Sequence, residues 1–360
     1  MFEPFIYEKR ISRIRSILRA NNIEGILFVC MTNIRYLVGF TGSDGVLFIG
    51  EKISVLLIDG RYVTQAGKEV TGCEILEYKD KIESITTLLF DCGVKSIGFE
   101  SSALTCDQYF SLKDQLKEVV LKPLSTDINL IRAIKDSNEI KYIRKAAHIA
   151  SRSLMSIVEE IRPGVSEKNA ALILESKMAD SGGEGLSFET IVASGQNSAL
   201  PHAKPGFHKI KEGDFVVIDY GSLYNGYHSD ETRTLAVGEI TEKQKEIYSI
   251  VKDAHDMALE AVKAGVSCRE IDRIARGWIE KAGFGQYFSH GTGHGVGLEV
   301  HEAPVISMKS EGSLEAGMVI TVEPGIYIPG LWGVRIEDMV LVEKDGCDIL
   351  SNISKELEIL

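Results

Sequence analysis

Hydrophobic and polar residues recur along this chain with two periods, and the changes of period divide it into elements. In residues 7–20 (YEKRISRIRSILRA), Ile11, Ile14, Ile17 and Leu18 fall at helical spacing, which predicts a helix with one apolar face. Ile26–Val29, Val46–Ile49 and Val55–Ile58 are short apolar runs between turn residues and are predicted strands. Helical patterns return near 62–70, 81–91 and 105–118, and Ser96–Phe99 and Glu118–Leu121 are further predicted strands. Strands interleaved with helices over residues 1–125 predict an α/β domain. Residues 126–136 (TDINLIRAIKD) have the look of a connector. From Ser137, with Glu139 close behind, a long helix is predicted to about Glu160, with Ile140, Ile143, Ala147 and Leu154 at helical spacing.

From that helix onward the chain repeats itself. Ile161-Arg162-Pro163-Gly164-Val165-Ser166 matches Val262-Lys263-Ala264-Gly265-Val266-Ser267. In each, Gly suits the end of one helix and Ser the N-cap of the next. Further on, Gly213-Asp214-Phe215-Val216-Val217-Ile218-Asp219 matches Gly317-Met318-Val319-Ile320-Thr321-Val322-Glu323: a turn glycine, a mostly β-favouring run, then a carboxylate. Two halves therefore share the order helix, GVS, helix, strand, acid. Packed about a pseudo-twofold axis, they would bring Asp219 and Glu323 together at the centre.

Composition changes this picture little. Hydrophobic residues at 44% and charged residues at 26% are those of a folded globular chain. A net charge of −12 makes nucleic acid and anionic membrane surfaces poor partners. No apolar run approaches the roughly 18 residues that cross a bilayer, and the N-terminus carries no signal-peptide core, so the cytoplasm is the expected address. Cys30, Cys73, Cys92, Cys106, Cys268 and Cys347 are scattered, without a CxxC pair, and are expected to be reduced.

The chemistry gathers on the repeated acids. Asp219 ends FVVID, and Asp230 follows a segment whose Gly221 and Asn225-Gly226 signal a hairpin. The second half repeats this with Glu323, then Glu337 beyond PGIYIPGLWGVRI. Four carboxylates converging on one axis repel one another, and two divalent cations are the natural remedy. His290, His294 and His301 lie in SHGTGHGVGLEVHE, whose glycines argue against a helical zinc site and allow close approach to a small ligand. His202 sits in the turn-rich SGQNSALPH. His148 and His255 fall on helical patterns as surface or packing residues, and His228 is expected at a solvated rim.

Taken together, the Asp219–Asp230 pair followed by TRT, HGTGHGVG with HE beyond it, VEPGIY and VRIED resemble the metal-dependent peptidases of the methionine aminopeptidase, aminopeptidase P and prolidase superfamily. NIRYLVGFTGSDG (33–45) and DGRY (59–62) resemble the N-terminal domain shared by prolidase, aminopeptidase P and creatinase, which methionine aminopeptidases lack. The resemblance spans essentially the whole chain. It implies an α/β (α+β) architecture: a pita-bread catalytic domain with a pseudo-twofold repeat over 137–360, preceded by a smaller creatinase-like α/β domain over 1–125. It also implies ligand roles. Asp219 would chelate one metal ion, Asp230 and Glu337 would bridge two, and His294 and Glu323 would complete the second. The ions would be divalent, manganese first, with cobalt, zinc or iron also suiting the donors. A water bridging both ions would become the hydroxide nucleophile, and Glu323 would carry the proton to the leaving nitrogen. His202 and His301 would hydrogen-bond the carbonyl oxygen. His290 would shape the proline pocket, and Arg335 would orient Glu337 or Asp219 or reach the substrate carboxylate.

The activity so implied is hydrolysis of the bond before proline, foremost in Xaa-Pro dipeptides. The alternatives are an aminopeptidase P acting on longer peptides, a non-catalytic peptide-binding scaffold, and a creatinase-like amidinohydrolase that would not need the five ligands. A proline-containing di- or oligopeptide substrate and a homodimer are implied with it.

Overall fold

The computed structural model describes residues 4–124, 128 and 130–360. The chain divides into two compact units, Met1–Ile131 and Arg132–Leu360. Met1–Glu3 and, near the expected connector, Ser125, Thr126, Asp127 and Asn129 lie outside the described residues.

The first unit alternates helices and strands: α1 (Pro4–Asn21), β1 (Gly25–Phe28), α2 (Met31–Val38), β2 (Val46–Gly50), β3 (Ser54–Asp59), α3 (Val63–Glu69), β4 (Glu74–Tyr78), α4 (Lys81–Asp91), β5 (Ser96–Glu100), α5 (Cys106–Gln115) and β6 (Val120–Leu124). The strands form one mixed sheet in the order β4-β3-β2-β1-β5-β6. Ile11, Ile14 and Leu18 of α1 are buried, as their spacing predicts, while Ile17 is only half-buried. Phe48, Leu57, Ile97 and Leu89 lie in the apolar core between sheet and helices. Two elements escape the hydrophobic pattern. β4 is an edge strand whose side chains are mostly exposed, so it carries no apolar run. α2 is a two-turn helix stopped by Gly39 at φ +83, too short for its period to stand out. The strand predicted at Glu118–Leu121 runs instead from Val120 to Leu124.

The second unit holds α6 (Ser137–Ile157), α7 (Glu167–Asp180), β7 (Gly185–Leu186), β8 (Ile191–Ser194), β9 (Phe215–Tyr220), β10 (Ser222–Tyr224), β11 (Tyr227–His228), β12 (Glu231–Ala236), α8 (Glu242–Ala261), α9 (Cys268–Lys281), β13 (Gly293–Gly295), β14 (Glu302–Ile306), β15 (Val319–Val322), β16 (Gly325–Ile328), β17 (Trp332–Arg335), β18 (Asp338–Val342) and β19 (Cys347–Ile349). α6 begins at Ser137, as the sequence predicts. Asp136 is its N-cap, in a reciprocal capping box with Glu139, because a carboxylate accepts from the exposed backbone N–H groups there. The helix stops at Ile157, and Val158–Glu160 tighten into a 3₁₀ turn. Ile134 pairs with Met318, and Lys135 N–H donates to the Gly317 carbonyl, so the last residues of the expected connector are tied into this unit.

The internal repeat is visible in matched local devices. Ser166 and Ser267 both N-cap helices of 14 residues, accepting from the N–H of Asn169 and Glu270 respectively. Gly164 and Gly265 have φ of +90 and +88, and Gly213 and Gly317 have +82 and +94. The GVS glycines do not end helices, however: α6 and α8 are capped at Val158 and Val262, and the glycines reverse the chain in the following turn. In the first half, α6 and α7 bury Leu154, Ala170 and Leu174 with Val216 and Ile218 of the β12-β9-β8 sheet. In the second, α8 and α9 bury Val251, Ala258 and Ile271 with Ile320 and Val340 of the β14-β13-β15-β18-β19 sheet. The two sheets meet where Glu337 N–H donates to the Thr232 carbonyl at 3.1 Å. This is the mixed α/β fold with a catalytic domain of duplicated halves that the resemblance implies.

Candidate metal centre and active site

The seam between the half-sheets is lined by the predicted acids because each stands at the end of a paired strand. Asp219 is on β9 opposite Thr232 of β12, and Asp230 immediately precedes β12. Glu323 follows β15 and Glu337 precedes β18, where Val322 pairs with Asp338. Between Asp219 and Asp230, Asn225 (φ +52) and Gly226 (φ +74) make the two-residue turn joining β10 to β11, as the Asn-Gly pair predicts. One donor atom from each of Asp219, Asp230 and Glu337 lies within 4.8 Å of the others, and the same holds for His294, Glu323 and Glu337 and for Asp230, His294 and His301. His294 Nε2 stands 3.5 Å from both Asp230 Oδ2 and Glu323 Oε1.

The glycines around His294 serve close approach. A Cβ on Gly293 would lie 2.0 Å from the Thr321 carbonyl oxygen, and one on Gly295 would lie 2.2 Å from that of Ala303. β13 thus slots between its neighbours only as GHG, with an irregularity in register between His294 and Gly295.

Electrostatics show what kind of partner this cluster suits. Burial, then Glu337, Asp219 and Glu323, push the Asp230 carboxyl well above its usual range. Burial with Glu323 and Asp219 does the same to Glu337. Burial pushes Glu323 up to about 7, although Arg335 pulls the other way. Burial, and then His301, lower His294 to about 4, so its imidazole is neutral and free to donate a lone pair at neutral pH. Asp219 Oδ1 is buried without a hydrogen-bond partner. Carboxylates forced together out of water want a cation, and oxygen donors with one neutral imidazole fit divalent ions.

Arg335 is the organiser beside the acids. Its Nη2 donates to Asp219 Oδ2 at 2.6 Å, its Nε to Thr232 Oγ1 at 3.0 Å, and its Nη1 to Tyr327 Oη at 2.8 Å and the Pro201 carbonyl at 3.2 Å. Thr232 Oγ1 in turn donates to Glu337 Oε2 at 2.7 Å. Arg335 therefore reaches Asp219 directly and Glu337 through Thr232. Four of its five N–H donations are spent inside the protein.

The histidines surround this core. His290 lies 3.9 Å from Glu323 Oε2 through Nδ1, and its Nε2 meets the Tyr327 hydroxyl at 2.9 Å. Burial lowers it to about 4, with Arg335 adding to the effect. The His301 ring packs edge-on against that of His294, centroids 4.3 Å apart, and is exposed on its other side. His202 is also exposed; it follows Pro201, whose carbonyl Arg335 holds. The five predicted ligands thus gather at one centre, with His290, His301 and Arg335 beside it and His202 next to the Pro201 carbonyl that Arg335 holds.

Sequence reasoning missed the supporting layer. Thr232 and Tyr327 lie inside quoted motifs but gave no chemical signal of their own. Asp272 accepts from Thr292 N and Oγ1 and pairs with Arg276, which donates to the carbonyls of Phe288 and His290. The Thr292 carbonyl accepts from Glu323 N–H at 2.7 Å. No spacing rule links a helix residue to a loop so far along the chain. His228 is not at a solvated rim: its Nδ1 is buried without a hydrogen-bond partner, and burial lowers its pKa. His255 is fully buried beside Asp338, a packing position, whereas His148 is exposed.

With fold and site in place, comparison with known proteins defines the class. Residues 141–344 match Metallopeptidase family M24, and residues 10–134 match the Creatinase/Prolidase N-terminal domain. The chain belongs to metallopeptidase family M24. Within it, an Xaa-Pro dipeptidase of Pyrococcus horikoshii is 41% identical over 98% of this chain and 99% of its own length. The structure of an Xaa-Pro dipeptidase from Bacillus anthracis superposes with a TM-score of 0.96 at 42% identity, covering 98% of this chain and all of that one. An X-Pro aminopeptidase from Thermotoga maritima superposes with a TM-score of 0.90 at 35% identity, covering 97% and 99%.

Proposed function

We propose that this chain hydrolyses the peptide bond before proline in Xaa-Pro dipeptides, using two divalent metal ions. One observation carries the reading: five potential ligands, Asp219, Asp230, His294, Glu323 and Glu337, converge at the seam of two matched halves in a chain about 40% identical, end to end, to Xaa-Pro dipeptidases. Asp219 would hold one ion and His294 and Glu323 the other, with Asp230 and Glu337 within reach of both. Such ions supply Lewis acidity that brings the pKa of water near neutrality and polarises a carbonyl.

The chain's own groups do the rest. Glu323, at the edge of the centre beside His290, takes a proton from the attacking water and returns it to the proline nitrogen as the C–N bond breaks. His202 and His301, on the open side of the centre, donate hydrogen bonds to the scissile carbonyl oxygen as it gains negative charge. His290 bounds the proline side of the pocket. Arg335 keeps Asp219 and Glu337 in place and has too few free donors to serve as the main clamp for the substrate carboxylate. The family resemblance supports manganese as the resident metal and a homodimer as the assembly. Six unpaired cysteines suit a reducing cytoplasm.

A second reading has its own observation, the likeness to an X-Pro aminopeptidase over the full chain. The deciding experiment strips the protein with chelator and restores manganese, cobalt or zinc separately. It then offers an Xaa-Pro dipeptide, the matching Xaa-Pro-Yaa tripeptide and an Xaa-Ala control. Metal-restored cleavage of the dipeptide alone is the expected result. Preference for the tripeptide replaces the dipeptidase reading with aminopeptidase P. Cleavage of none, with metal bound, removes the catalytic reading in favour of a scaffold.

A further inference from the structure

We propose that Glu167 is a positioning residue for His202, acting by closing the loop that carries it. The inference rests on the reading above that His202 touches the scissile carbonyl. Glu167 is the first residue of α7, fully buried, and Asp219 and the other predicted ligands are not among its partners. Its Oε1 accepts from Ser194 N–H at 2.8 Å, Ser194 Oγ at 2.9 Å and Asn197 Nδ2 at 3.0 Å. Its Oε2 accepts from Gly206 N–H at 3.2 Å and Asn197 Nδ2 at 3.2 Å. Among the described residues no lysine or arginine is paired with it. A buried carboxylate is costly unless its charge is met by donors, and among the described residues its donors all come from one segment, residues 194–206.

That segment leaves the end of β8 at Ser194 and returns at Gly206, with His202 between. The same carboxylate therefore pins both ends. Two backbone bonds reinforce the return: Lys168 N–H to the Gly206 carbonyl at 2.9 Å and Glu167 N–H to the His208 carbonyl at 3.0 Å. The middle of the loop is anchored from the opposite side. Ser198 Oγ accepts from Gly333 N–H at 2.8 Å, and the Pro201 carbonyl accepts from Arg335. A Cβ on Gly333 would sit 2.2 Å from the Ser198 carbonyl oxygen, so the loop lies directly on β17 there. Among the described residues His202 makes no hydrogen bond of its own to set its place, and it is exposed; its position comes from the frame around it. Glu167 supplies the base of that frame.

In Glu167→Gln the new amide must turn its donor side toward donors, so the loop loosens while the acids at the seam keep their partners. The test combines three readings on the metal-loaded and chelated protein. Amide hydrogen exchange should quicken in residues 195–205 and stay unchanged at β9, β12 and β15. Manganese titrated calorimetrically into the chelated protein should bind with unchanged stoichiometry and affinity. On the Xaa-Pro dipeptide, kcat should fall by roughly tenfold to hundredfold, the scale of a misplaced catalytic group, with KM moving less. The deciding arm is a double-mutant cycle with His202→Ala: if Glu167 acts through His202, adding E167Q to H202A should cost little more. Additive losses overturn the proposal, as does unchanged exchange in 195–205. An H202A enzyme as active as the parent overturns it too, together with the role given to His202, while leaving dipeptide hydrolysis intact. Loss of metal binding in the parent protein would instead mark failure of the functional reading. If E167Q does not fold, Asn197→Ala removes one donor and leaves the charge satisfied, and the same pattern at smaller amplitude is expected.

Discussion

Asp219 has one oxygen held by Arg335 at 2.6 Å and the other buried without a partner. That asymmetry argues for a cation more directly than its presence in a motif does, because an orphaned buried carboxylate oxygen is costly. Asp219→Asn presents a neutral amide there and leaves the Arg335 guanidinium without its anion. We expect metal stoichiometry measured on the purified variant to fall, and dipeptide hydrolysis to drop by about 10² or more, with both losses appearing together. Full metal content in this variant would refute the assignment of Asp219 as a ligand. Much of the site was legible at this scale: residue types and the repeat pointed to Asp219, Asp230, Glu323 and Glu337 together, and the family resemblance added His294. What was not legible was direction. Arg335 had three possible partners in the sequence, and only its place at the end of β17 selects Asp219 over a substrate carboxylate.

The two halves agree at the level of elements in their caps more than in their sequence. Ser166 and Ser267 start α7 and α9 with the same side chain-to-backbone bond, although the residues that follow them differ. Ser267→Ala removes the acceptor for Glu270 N–H, and thermal or denaturant unfolding should show a loss of about 1 kcal/mol. Metal affinity should be unchanged, because α9 supplies no ligand. A change in metal affinity would mean that the α9 cap bears on the centre. Elements with a strong period and a cap were readable from the chain. β4 and α2 were not, because an exposed edge strand has no apolar face to reveal and two turns of helix are too few for a period.

At the scale of the whole molecule the acidic seam links stability to pH and metal. Chelator-treated protein must hold Asp230, Glu337 and Glu323 with raised pKa values, so its folded state binds more protons than the unfolded chain above the usual carboxylate range. Stability then falls as pH rises. His290 and His294, lowered to about 4, work the other way, but their contribution is complete once pH passes the ordinary histidine value of 6.5. Above that, only the carboxylate effect remains. We expect the Tm of chelated protein to decline from pH 6.5 through 8, and the Tm gained on adding manganese to grow over the same interval. At a hundredfold excess over Kd the metal contributes about 2.7 kcal/mol. A Tm of chelated protein that rises across this interval would contradict the picture of mutually repelling buried acids.

By itself, the sequence determined which segments are helix or strand wherever burial imposes a period, that the second part is a duplication, and which acids recur at matching places in its two halves. These are local or repeated properties, written in neighbouring residues and in their spacing. Only the tertiary structure decided which oxygen of Asp219 faces Arg335, that Glu337 is reached through Thr232, that the Nδ1 of half-buried His228 is shut away from solvent, and that Glu167 and Asp272 hold loops far along the chain. Each of those contacts joins residues brought together by strand pairing and by packing of helices on sheets. Their partners are set by where the backbone ends up in space, and no period along the chain records that.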